Sequence, residues 1–230
     1  MNNLRSIGDC MYLCKLLIFD MDGLLFDTER PSFLAMKKTA EKAGFKFSIE
    51  TYKKLIGVSK PTSNQILHNL YGEEFFKKNV LDHFQEEFNK TVAEEGIIIK
   101  KGALELLEVL EEKGFKKCIA SSSNREVIEN YLAITGLEDR FDFYLSGREV
   151  KKGKPHPDIF LEACKRGGVD PEKALVLEDS FHGFRAAIRA NIRCIIVPDL
   201  VEPNDEMKQG AYRICSDLAE VAELIRTEKL

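Results

Sequence analysis

The residues best suited to chemistry are two aspartates one residue apart, Asp20 and Asp22, which close the apolar run Leu16-Leu17-Ile18-Phe19 just before Gly23. Like charges a few ångströms apart repel and share protons awkwardly, and a bound cation resolves that conflict. The alternative is a polar strand end with two solvated aspartates. Three more places carry reactive or ion-binding types: Ser121 in Ser121-Ser122-Ser123-Asn124, Lys154 in Lys151-Lys152-Gly153-Lys154-Pro155, and the adjacent acids Glu178 and Asp179. Each has a plain reading too. A serine run caps a helix, acids favour a helix amino terminus, and a lysine run is a solvated face.

The elements around these residues give them a common address. An unbroken apolar run reads as a strand buried on both faces of a parallel sheet. Side chains alternate along it, so Asp20 and Asp22 point one way and Met21 the other, and Gly23 lets the chain swerve away. From Gly102 onward, strand and helix patterns alternate. Strands are expected over 117–120, 141–145, 174–177 and 193–197, and helices over 103–113, 126–134, 158–166, 184–190 and 216–227. That alternation predicts an α/β fold with a doubly wound parallel sheet. The four chemical loops then leave strand carboxyl ends, which converge on one crevice in such sheets. Pro155 disfavours helix at Lys154 and presents that lysine from extended backbone.

Residues 31–95 have a different character, with helix signals and almost no strand signals. Pro31 suits a first helical turn and Gly44 a stop, while Val80, Leu81, Phe84, Phe88 and Val92 recur at helical spacing. The aromatic stripe is read as core. Residues 55–61 are expected to be a turn with one exposed cation, Lys60. The chain is therefore divided into a core of residues 1–29 and 98–230 and an inserted helical domain of residues 30–97, hinged near 26–31 and 97–102.

Composition narrows the function. Of 230 residues, 44% are hydrophobic and 31% charged, as in an ordinary soluble globular protein. Lys+Arg 34 against Asp+Glu 38 gives a net charge of −4, with no electrostatic footprint for nucleic acid or an anionic membrane. The six cysteines are scattered, and Cys118 and Cys194 lie inside apolar runs, so they read as reduced core residues of a cytoplasmic protein. Cys10 and Cys14 lack a second Cys/His pair at zinc spacing. No stretch reaches the length of a membrane span, and a cleaved signal is not expected because Lys15 interrupts the apolar patch. Met11 suggests a start there, with residues 1–10 an ill-ordered extension. His156 and His182 read as structural or surface residues, and His68 and His83 lack an evident ligand partner. No P-loop motif is present.

Taken together, Asp20-Met21-Asp22-Gly23, the hydroxyl after Ile119-Ala120, Gly153-Lys154-Pro155 and Glu178-Asp179-Ser180 occur in the order and on the elements of a known family. The chain resembles the haloacid dehalogenase superfamily over nearly its whole length. The resemblance implies a Rossmann-like core with a helical cap inserted after the first strand. It also implies a magnesium-dependent phosphomonoester hydrolase acting on a small phosphorylated metabolite such as a sugar phosphate. On that basis Asp20 is the nucleophile and a Mg2+ ligand, and Asp22 handles protons and lends the metal its backbone carbonyl. Asp179 is a second carboxylate ligand, and Glu178 either ligates directly or orients a bound water. Ser121 and Ser122 bind the phosphoryl oxygens with Lys154, and Lys60 is a candidate substrate contact. Expected partners are the metabolite alone, without nucleic acid or membrane, in a monomer or weak dimer. A phosphomutase resembling β-phosphoglucomutase is the alternative. Ser32 stands where such mutases place a His, and Lys60 where they place an Arg, which turns the reading toward hydrolysis. Dehalogenation is disfavoured by Asp22, and a non-catalytic phosphate-binding role by the filling of every chemical position.

Overall fold

The computed structural model describes residues 14–58 and 60–227. The proposed start at Met11, residues 1–10, Cys10 and the side chain of Lys60 lie outside the described residues. The chain forms two compact units, Asp27–Ile98 and the described residues on either side of that segment.

The sheet-bearing unit begins with β1 (Leu16–Phe19), fully buried along its length, so its sequence is apolar at every position rather than at alternate ones. The chain crosses to the other unit at β2 (Phe26–Asp27) and returns at β3 (Ile98–Ile99), two short strands that pair.

Between the crossings lie α1 (Glu29–Lys42), α2 (Ile49–Lys53), α3 (Lys60–Tyr71), α4 (Glu73–Lys77) and α5 (Val80–Glu95). Helix α5 packs along α1 and buries Val80, Phe88 and Val92 from its apolar stripe. Tyr71, Phe45 and Phe75 form an aromatic cluster, with ring centroids 5.0 Å (Tyr71–Phe75) and 5.2 Å (Phe45–Phe75) apart. The expected turn over 55–61 is corrected at its end, because α3 starts at Lys60. Pro61 in its first turn lacks an N–H that would have had no intrahelical partner there. The proline read as a turn signal is a helix start.

After the return come α6 (Ala103–Glu112), β4 (Lys116–Ser121), α7 (Arg125–Thr135), β5 (Phe143–Ser146), α8 (Asp158–Gly167) and β6 (Ala174–Glu178). They are followed by α9 (Phe181–Arg189), β7 (Arg193–Ile196), α10 (Asp205–Gly210), β8 (Arg213–Ile214) and α11 (Leu218–Thr227). The six strands form one parallel sheet in the order β5-β4-β1-β6-β7-β8. On one face Leu16, Ile18, Ala120 and Val176 pack with Phe160 of α8 and Phe184 of α9. The alternate positions Leu17, Phe19, Ile119 and Leu177 are equally buried. The fold is thus an α/β doubly wound parallel sheet.

Candidate active site

Strand β1 pairs with β4 on one side and β6 on the other, with Phe19 level with Ile119 and Leu177. Connections diverging from a central strand leave a crevice at its carboxyl end, where ligands bind in such sheets. Asp20 follows β1, with its N–H donating to the Leu177 carbonyl at 3.0 Å, while Ser121 ends β4 and Glu178 ends β6. Register sets Glu178 level with Asp20 and Ser121 one residue further along its strand. Lys154, from the loop after β5, reaches in from its cis peptide bond with Pro155.

The ammonium of Lys154 donates to Asp20 Oδ1 and, at 2.6 Å, to Glu178 Oε1. Its Nζ also lies 5.0 Å from the Phe160 ring centroid. Burial opposes the lysine's charge, but Asp20 and Glu178 outweigh it and hold its pKa above the usual lysine range. Burial pushes the Asp20 carboxyl up to about 8 against the opposing pull of Lys154, with Glu178 and Asp22 adding to the rise.

Asp22 sits at the mouth of a tight turn in which Gly23 N–H donates to the Phe26 carbonyl at 2.9 Å. Its Oδ2 accepts a 2.8 Å hydrogen bond from Ser123 Oγ, whereas Ser121 Oγ is 3.5 Å away. Ser121 Oγ accepts from Ser123 N–H at 3.0 Å. The position preceding α7 is Asn124, so Ser121 serves its own turn rather than capping that helix. Ser122 is exposed beside it.

The acids after β6 divide their contacts. Glu178, fully buried, accepts at Oε2 from the N–H groups of Asp179 (3.0 Å) and Ser180 (2.9 Å) and from Ser180 Oγ (2.9 Å). Ser180 Oγ also accepts from Gly183 N–H at 3.1 Å, so the cap of α9 belongs to Ser180. Two glycines make room: a Cβ at Gly183 would overlap the Glu178 carboxylate, and one at Gly23, where φ is +83°, would overlap that of Asp179. Asp20, Glu178 and Asp179 each offer a carboxylate oxygen within 4.8 Å of the others. Hard oxygen donors in an acidic, buried cluster fit Mg2+, and the glycine cradle that brings Asp179 against the turn after Asp20 supports that fit.

The loop neighbours Lys151, Lys152 and His156 are exposed. His182 lies on α9 with its Nδ1 buried and without a hydrogen-bond partner among the described residues. Ser123, a candidate cap by sequence, instead bonds Asp22, and neither that contact nor the cap made by Ser180 is among the expectations from sequence. Ser180 has a signal, since a serine directly before a helix marks a cap.

A family model for haloacid dehalogenase-like hydrolases matches residues 17–197. A phosphorylated carbohydrates phosphatase of Thermotoga maritima is 36% identical over 205 residues, covering 86% of this chain and 92% of that protein. The crystal structure of a haloacid dehalogenase-like protein from Agrobacterium tumefaciens superposes with a TM-score of 0.78 at 25% identity, over 93% of this chain and 98% of that one. A CbbY mutant from Rhodobacter sphaeroides in complex with xylulose-(1,5)bisphosphate superposes with a TM-score of 0.73 at 25% identity, over 90% and 96% of the two chains. A match across most of the chain, spanning all four motif loops, makes this protein an enzyme of the haloacid dehalogenase-like hydrolase family.

Proposed function

We propose that the chain is a Mg2+-dependent phosphatase of small phosphorylated metabolites, sugar phosphates among them, working through an aspartyl phosphate on Asp20. The observation that carries the reading is the convergence of Asp20 with Lys154 and Asp179 at the switch point of the sheet. The similarity to a phosphatase of phosphorylated carbohydrates supports the substrate class.

In the first step an oxygen of Asp20 forms a bond to phosphorus and the bond to the leaving oxygen breaks, Asp22 passing its proton to that oxygen. In the second, water attacks phosphorus, its proton goes to Asp22, and the bond from Asp20 to phosphorus breaks. Lys154 and the Ser121 turn offset charge on the phosphoryl oxygens. Asp20, Asp179 and the Asp22 carbonyl would hold Mg2+, which supplies charge neutralisation between two anions. Glu178, whose oxygens already accept from Lys154, Ser180 and Asp179, positions the lysine. Residues 30–97 are assigned the choice of substrate.

Purified protein with Mg2+ is expected to release phosphate from 4-nitrophenyl phosphate, and Asp20→Asn to abolish the release. An unaffected variant contradicts the reading. With β-glucose 1-phosphate, free phosphate is the expected product, and accumulation of glucose 6-phosphate identifies a mutase instead.

A further inference from the structure

The turn after β4 is held by hydrogen bonds that meet at Ser123. Ser123 uses three groups at once: its N–H donates to Ser121 Oγ at 3.0 Å, its carbonyl accepts from Ser146 Oγ at 2.7 Å, and its own Oγ donates to Asp22 Oδ2 at 2.8 Å. Ser146 is itself buried and fixed, since its N–H donates to Glu149 Oε1 at 3.0 Å and its Oγ accepts from Arg148 N–H at 3.2 Å. Glu149 in turn accepts from Arg125 at 2.8 Å and from Arg166 at 3.0 Å. Gly147 lies so near the turn that a Cβ there would stand 3.2 Å from Ser122 Cα. The Ser123 hydroxyl therefore projects from a braced backbone onto one oxygen of Asp22.

We infer that Ser123 is the positioning residue for proton transfer, setting the rotation of the Asp22 carboxyl so that the proton is delivered to the leaving oxygen. This rests on the acid–base role given to Asp22 above. A hydrogen bond to one carboxyl oxygen limits rotation about the terminal bond, and a general acid works only within hydrogen-bond reach of the atom it protonates. Ser121 cannot serve in its place, because at 3.5 Å its hydroxyl is at the limit of a hydrogen bond to Asp22.

A misplaced general acid harms substrates in proportion to how much their leaving oxygen needs a proton. The test is kcat/KM, which reports the first chemical step, for 2,4-dinitrophenyl, 4-nitrophenyl and phenyl phosphate with the wild-type chain, Ser123→Ala and Ser123→Thr. Ser123→Ala is expected to lose about tenfold or more on phenyl phosphate, the worth of one hydrogen bond to a charged group, and little on the dinitrophenyl ester. Ser123→Thr, which keeps a hydroxyl, is expected to recover most of that loss. A drop of equal size on all three esters, or none on phenyl phosphate, overturns the positioning role. A wild-type chain that hydrolyses none of them overturns the phosphatase reading itself, and so the two failures are told apart.

Discussion

Glu178 and Lys154 form a buried ion pair at 2.6 Å, and the glutamate's second oxygen accepts three further hydrogen bonds from the chain just after it. A carboxylate so occupied has little left to offer an ion, whereas Asp179 leans across the Gly23 turn toward Asp20. Adjacent residues of one sign thus separate into a lysine anchor, Glu178, and the acid proposed above as a metal ligand, Asp179.

That division predicts opposite effects of two substitutions on Mg2+. A ligand that binds only the folded chain stabilises it, by about 2.7 kcal/mol at a hundredfold excess over Kd. The wild-type chain is expected to melt at a higher temperature with Mg2+ than with chelator. Asp179→Ala should remove most of that difference. Glu178→Gln should keep it while lowering Tm with or without the ion, since losing one partner of a buried pair costs roughly 3 kcal/mol. Differential scanning fluorimetry with and without Mg2+ checks both; a Glu178→Gln protein that no longer responds to Mg2+ would make Glu178 a ligand.

Gly183 tests how tightly the acid is packed. Inside an exposed helix, Gly→Ala gains about 1 kcal/mol. On α9 the added methyl would run into the Glu178 carboxylate, so Gly183→Ala is expected to destabilise and to lower activity. Urea unfolding reads the sign directly, and a stabilised variant would show that the glutamate has room to move.

The core thiols give a test independent of catalysis. Burial raises the thiols of Cys118 and Cys194 well above the usual cysteine range, and pushes Cys164 up to about 11. The thiolate is the reactive form. Iodoacetamide is therefore expected to leave the peptides carrying these residues unmodified in the native protein and to modify them in denaturant, as read by peptide mass mapping. Rapid native labelling of Cys118 would contradict its burial.

Much of this arrangement is legible in the sequence because burial on both faces leaves so plain a mark. Leu16–Phe19 and Ala174–Glu178 are strands fully enclosed by the fold, and an apolar run ended by an acid marks both element and site. Other parts leave weaker marks. β8 has two residues, one of them Arg213, at the sheet edge, and α10 buries only Met207, so neither shows a periodic pattern. Pro61 signals a turn and a helix start equally well, and geometry decided for the helix. Ser123 was hidden within a run of three serines, where only the turn's geometry tells which hydroxyl meets Asp22.

Asp20 is proposed to carry the phosphoryl group between two steps, and trapping it there is the most direct test. Asp22→Asn should still accept phosphate from 2,4-dinitrophenyl phosphate, whose leaving oxygen needs little protonation, but should be slow to release it to water. Acid-quenched Asp22→Asn protein incubated with that ester and Mg2+ is expected to gain one phosphoryl group by intact mass, labile to hydroxylamine and mapped to the peptide containing Asp20. Absence of that group while the wild-type chain hydrolyses the ester, or its location on Ser121, would contradict an aspartyl phosphate on Asp20.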